Sequence, residues 1–193
     1  ENKMRKRTFT ILGLAMALLL AFNVAALAQD EGMTPLDIPT IGDMEALQPG
    51  EKAPSFTLKD TSGNPYTFSP EERGGACLLV FWSIFCEPCR DEMPLIQSLY
   101  ERYKEKGFDV ITVALDGDLA NNIAQFAKQS KLTFKILLDE LGDDDSLIVA
   151  EDYMVPGTPT LYMINGKGEI TFVRVGRVSE EVLTGEIEKA LGN

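Results

Sequence analysis

The 193-residue chain is long enough for one domain with an extension, and its 45% hydrophobic and 25% charged content is that of a globular protein. Its 30 acidic and 18 basic residues give a net charge of −12, and from residue 29 onward acids outnumber bases 29 to 14, which argues against nucleic acid or anionic lipid as a partner and would favour a basic one. The absence of histidine and the presence of only three cysteines exclude Ser-His-Asp and Cys-His catalysis, His-ligated zinc or copper, c-type haem attachment and a disulfide scaffold.

The first thirty residues read as a targeting segment. Met4-Arg5-Lys6-Arg7 is a basic start, residues 9–22 are apolar, and Ala26-Leu27-Ala28 offers small residues where a signal peptidase reads. Residues 1–28 are therefore expected to be a signal peptide cut before Gln29, with Met4 as the initiating residue. The alternative is an uncleaved anchor, since residues 9–28 are long enough to span a bilayer although Asn23 interrupts them. Either way the domain is exported, and no cysteine follows the apolar stretch to carry a lipid. Residues 29–48 are acidic, contain Pro35 and Pro39, and read as a linker.

Gly50 opens the domain. Residues 55–58 and 66–68 are short strand candidates around the turn Thr61-Ser62-Gly63-Asn64-Pro65, giving an N-terminal hairpin. Residues 77–82 form an unbroken apolar run, as a central strand buried on both faces requires. Met93, Ile96, Tyr100 and Tyr103 then recur at helical spacing, with Pro94 inside the segment and Gly107 ending it. A strand at 110–115, a helix around Leu119, Ile123, Phe126 and Ala127, a strand at 136–138 and a short helix over 143–153 follow. Strands at 160–164 and 170–175 flank Asn165-Gly166-Lys167-Gly168, and Ser179 starts a last helix. The order is a hairpin, then β-α-β-α-β-α-β-β-α. Such alternation predicts a mostly parallel sheet, with antiparallel strands added by the closing hairpin.

The chemistry is concentrated in Cys86-Glu87-Pro88-Cys89, between the buried run and the helix. A dithiol at this spacing can close into a disulfide with little backbone movement. The first sulfur would face free helix N–H groups, which favours thiolate, the attacking species in disulfide exchange. Cys86 is the expected nucleophile and Cys89, one turn inside, the resolving thiol. Pro88 pre-sets the first helical turn at no cost in hydrogen bonds. Glu87 adds a carboxylate close to both sulfurs, which disfavours thiolate and suggests a reductant, unless it is only a solvated first-turn acid. Cys77, inside the buried run, reads as a small core residue.

Pro49-Gly50-Glu51-Lys52-Ala53-Pro54-Ser55-Phe56, the stretch Phe81-Trp82-Ser83-Ile84-Phe85-Cys86-Glu87-Pro88-Cys89-Arg90-Asp91-Glu92-Met93-Pro94, and Val155-Pro156-Gly157-Thr158-Pro159-Thr160 resemble the extracytoplasmic ResA/TlpA-like thioredoxin proteins over roughly residues 50–191. The resemblance implies an α/β thioredoxin-like fold over 49–193, with a mixed central sheet, helices on both faces and an N-terminal β-hairpin extension. It implies that Glu92 is the proton-handling carboxylate, since Val80 stands where ordinary thioredoxins carry a buried aspartate. The alternative is a surface pairing of Glu92 with a nearby Arg or Lys. It further implies that Thr158-Pro159 holds the cis-proline facing the dithiol, with Trp82 and Phe85 walling a substrate surface. No metal or cofactor is implied. The expected partners are a disulfide-bearing client, apocytochrome c being typical of the family, and a thiol-reducing membrane electron donor, the protein itself acting as a monomer.

Three rivals remain open. A peroxiredoxin-like peroxidase shares the domain opening, and Ser83 fits its pattern, but residues 79–81 lack the proline it needs. A copper-delivery module would use CxxxC with a histidine, and neither is present. A disulfide-introducing oxidase would use the same dithiol in the opposite direction.

Overall fold

The computed structural model describes residues 46–192. The expected signal peptide and nearly all of the acidic linker lie outside the described residues. Seven strands form one sheet: β1 Phe56–Asp60, β2 Pro65–Phe68, β3 Ala76–Trp82, β4 Phe108–Ala114, β5 Lys135–Leu138, β6 Thr160–Ile164 and β7 Ile170–Val175, in the spatial order β2-β1-β5-β4-β3-β6-β7. The helices are α1 Glu87–Tyr103, α2 Ala120–Gln129, α3 Ile148–Asp152 and α4 Glu180–Ala190. Among the described residues no helix is long and apolar enough to cross a membrane.

All seven residues of β3 are buried, so this strand sits at the centre with side chains alternating between two cores. Leu78, Val80 and Trp82 join Met93, Ile96 and Leu99 of α1, Ile123 of α2, and Leu183 and Ile187 of α4 on one face. Cys77, Leu79 and Phe81 join Val149 of α3, Tyr153 and Tyr162 on the other. Helices therefore cover both faces.

The sheet is less parallel than alternation predicts. Only β3–β4 and β4–β5 pair in parallel, while β1–β2, β1–β5, β3–β6 and β6–β7 are antiparallel. The sense of β6 matters most. Phe81 of β3 stands opposite Thr160 of β6, so the C-terminal end of β3 and the N-terminal end of β6 meet at one edge of the sheet. This brings the segment after Trp82 beside the segment before Thr160.

The helix expected over 143–153 is also shorter. Asp144 Oδ1 accepts from the Ser146 N–H at 3.2 Å, Gly142 N–H reaches Ser146 O at 2.8 Å, and Asp145 takes a positive φ of 63°. Three successive aspartates favour such local turns over helix. The helix begins only where Asp139, on the preceding strand end, accepts from Val149 and Ala150 N–H at 3.1 and 2.9 Å. Its cap comes from nine residues upstream of the helix start, which local patterning does not reveal.

Candidate active site

Cys86 caps the N-terminus of α1 with extended backbone, and its sulfur accepts from the Cys89 N–H at 3.2 Å. The two cysteines form a disulfide with Cα atoms 5.3 Å apart. Cys86 is half-buried and Cys89 is 1% exposed, so a partner in solution can reach only the first sulfur.

The Thr158–Pro159 peptide bond is cis, and the Thr158 carbonyl oxygen lies 3.6 Å from Cys86 Sγ. A disulfide sulfur carries no proton, so in this state the approach is a contact. In the reduced protein the same geometry suits a thiol donating to the carbonyl, and it disfavours a thiolate facing an oxygen lone pair. The sulfur thus sits between one N–H that favours negative charge and one carbonyl that opposes it.

Glu92 is one turn further along α1 and 5% exposed. Its Oε1 accepts from the Val178 N–H at 2.9 Å, and its Oε2 is buried without a partner among the described residues. Burial pushes this carboxyl above the usual range, against the lowering pull of the Val178 N–H and the Arg177 charge. Arg177 itself pairs with Asp91, not Glu92. A surface ion pair does not describe Glu92.

Phe85, Glu87 and Pro88 stand exposed around Cys86, with Phe85 at 77% exposure. Thr158 is half-buried and Pro159 buried. Trp82 departs from expectation. It is fully buried, packs on Phe126 at 5.6 Å between ring centroids, and leaves its indole N–H unpartnered among the described residues. As the last residue of β3 it points into the α1 core, so it lies beneath the site and is no wall to a substrate.

Asp116 was not anticipated. It follows β4, and its carboxylate accepts from the Ile84 N–H at 2.7 Å and the Ser83 hydroxyl at 3.1 Å. Ser83 Oγ in turn accepts from the Phe85 N–H at 3.1 Å. One side chain thereby fixes the three residues that lead from β3 into Cys86. The parallel pairing of Trp82 with Ala114 sets the two loops side by side. Only that pairing, 32 residues apart in sequence, makes Asp116 a neighbour. Cys77 is fully buried on the opposite face of β3, and burial pushes its thiol up to about 12.

This arrangement is a dithiol–disulfide couple with one accessible sulfur, one shielded sulfur and a buried carboxyl about one helical turn beyond Cys89. The AhpC/TSA family model matches residues 49–173. The thiol-disulfide oxidoreductase ResA of Bacillus cereus is 32% identical over 148 residues, covering 76% of this chain and 81% of that protein. ResA of Oceanobacillus iheyensis is 34% identical over 147 residues, covering 74% and 73%. The thioredoxin domain of a thiol-disulfide oxidoreductase from Bacteroides vulgatus superposes with a TM-score of 0.64 at 27% identity, covering 76% of this chain and 99% of that one.

Proposed function

The chain belongs to the AhpC/TSA family as a ResA-like thiol–disulfide oxidoreductase of thioredoxin fold, and from that premise we propose that it reduces disulfides of exported client proteins outside the cytoplasm, with Cys86 as the attacking sulfur. The observation that carries this reading is the pairing of a reachable Cys86 with a shielded Cys89, with the Thr158 carbonyl 3.6 Å from Cys86 Sγ and the buried Glu92 three residues after Cys89 on the same helix.

In the reduced protein the Cys86 thiolate attacks one sulfur of the client disulfide, and the other client sulfur leaves as thiolate. Cys89 then loses its proton and attacks Cys86 Sγ. The mixed disulfide breaks, the client departs with both sulfurs reduced, and the Cys86–Cys89 bond forms. Two electrons have moved to the client, and the oxidised pair seen here is the result. Glu92, whose raised pKa suits it to hold a proton, takes up the one that Cys89 releases. A thiol-reducing membrane donor returns the two electrons for the next cycle.

The carbonyl beside Cys86 and the nearby buried carboxyl both work against a strongly stabilised thiolate. A couple without that stabilisation is reducing, which supports the reductase direction over the oxidase. The Ser83 hydroxyl is engaged with Asp116 and Phe85, which does not favour the peroxidase reading.

Six large apolar side chains stand exposed among the described residues: Phe85, Leu141, Ile148, Met154, Val175 and Val182. All belong to segments at the cysteine end of the sheet. Leu141 and Ile148 follow β5, Met154 leads into Thr158, Val175 pairs with Thr160, and Val182 is in the first turn of α4. Such a collar suits a polypeptide client better than a small peroxide. The signal-like residues 1–28 support export, and a Cys-Xaa-Xaa-Cys-His segment of apocytochrome c is the client that the resemblance favours.

The test is trapping on a disulfide-bonded Cys-Xaa-Xaa-Cys-His peptide. Cys89→Ser should accumulate a mixed disulfide through Cys86, and Cys86→Ser should accumulate none. Equal trapping by both variants would defeat the assignment.

A further inference from the structure

The loops that follow β4 and β5, together with the end of β1 and the turn after it, line an open groove of about 660 Å³. Leu115, Leu138, Leu141 and Leu147 give it an apolar lining, and Asp118 and Glu140 stand on its rim. Leu141 is 63% exposed although its backbone is held by an isolated bridge to Leu147. The groove begins next to Asp116, the residue that fixes Ile84 and Ser83 ahead of Cys86. Since β5 adjoins β4 and β4 adjoins β3, it opens about 5–10 Å sideways from the strand that delivers Cys86.

Its charge is one-sided. Lys59 at the rim is taken by Glu140 at 2.7 Å, and Lys135 faces Asp60 at 3.8 Å. Asp118 on the rim, and Asp143, Asp144 and Asp145 in the same loop as Leu141, have no basic partner within ion-pair distance among the described residues. An apolar channel edged by uncompensated carboxylates is complementary to an apolar side chain flanked by cationic ones.

We propose that this groove is a second client-contact site, which takes a Lys- or Arg-flanked apolar segment of the polypeptide whose disulfide lies at Cys86. The identity of the occupant as a client rests on the reductase reading above. An extended chain rises about 3.3 Å per residue, so the segment lies roughly two to three residues from the client cysteine. The acidic rim then selects basic clients, while the cysteine pair supplies the chemistry.

Two readouts separate the groove from the redox reaction. In the first, a cysteine-free peptide with leucine between lysines is titrated into the labelled full-length oxidised protein, and backbone amide shifts are followed. Leu115, Leu141 and Leu147 should shift and saturate. A glutamate-flanked counterpart should bind at least about tenfold more weakly, and Leu141→Asp should weaken the lysine peptide by about tenfold. In the second, the reduced protein is given a disulfide peptide carrying the lysine–leucine segment. Asp118→Lys should raise its KM by about tenfold, while the rate with a small aromatic disulfide stays unchanged. Equal binding of the two peptides, shifts confined to other surfaces, or an equal loss with the small disulfide would each overturn the groove. So would a dimer that Leu141→Asp dissociates, because the occupant would then be a second copy. A protein that binds the lysine peptide in the groove but reduces neither disulfide would support the site and overturn the reductase reading.

Discussion

Glu92 Oε1 accepts the Val178 N–H at 2.9 Å, whereas Oε2 of the same carboxylate is buried without a partner among the described residues. This one side chain ties the second turn of α1 to the loop between β7 and α4, and it places a buried ionisable group on the helix that carries the disulfide.

Burial raises the Glu92 pKa in the folded protein, so the native state holds that proton more tightly than the unfolded chain does. Its stabilising contribution is complete below the unfolded value of about 4 and is lost as pH rises through the folded value. Glu92→Gln does not titrate. Melting temperatures across pH should therefore diverge, the variant gaining on the wild type from about pH 4 upward. Parallel curves would mean that Glu92 ionises as it does in water. In the reduced protein, removing this carboxylate should also move the cysteine titration down and slow client reduction.

Asp116 should matter as a positioning residue. Asp116→Ala leaves the Ile84 N–H and Ser83 hydroxyl without their acceptor and should cost about 1–3 kcal/mol of stability. It should also slow mixed-disulfide formation at Cys86, because residues 83–85 lose their anchor. Asp116→Asn keeps an acceptor oxygen and should recover most of that rate. Asparagine and alanine variants of equal rate would remove Asp116 from the positioning of Cys86.

Cys77 should be chemically silent. Its thiol is pushed up to about 12 and is fully buried. With the Cys86–Cys89 pair oxidised, a bulky thiol reagent should label almost nothing until the protein is unfolded. Rapid labelling of Cys77 would reveal a third redox cysteine and favour the peroxidase.

What could be read from sequence followed the range of each signal. The run 77–82, the Cys86–Cys89 spacing, the turn at Asn165-Gly166 and the Ser179 cap are local, and each stands where it was expected. The role of Glu92 came from the family resemblance alone, and its burial against Val178 is a tertiary contact that the local pattern does not carry. Trp82 was misplaced because an aromatic residue beside a cysteine looks like a site wall, while strand alternation turns it into the α1 core. Asp116 and the antiparallel β6 depend on strand pairing between distant segments, for which the local pattern carries no sign. The helix at 148–152 was overextended because Asp139, its cap, lies beyond the window in which caps are sought.

The central claim is the direction of electron flow, and the reduction potential of the Cys86–Cys89 couple tests it most directly. Equilibration of the full-length protein with a thiol redox buffer at neutral pH should give a value nearer the roughly −270 mV of thioredoxin than the roughly −120 mV of the strongest oxidant. A potential above about −180 mV, where disulfide isomerases lie, would contradict the account and mean that this protein makes or shuffles disulfides.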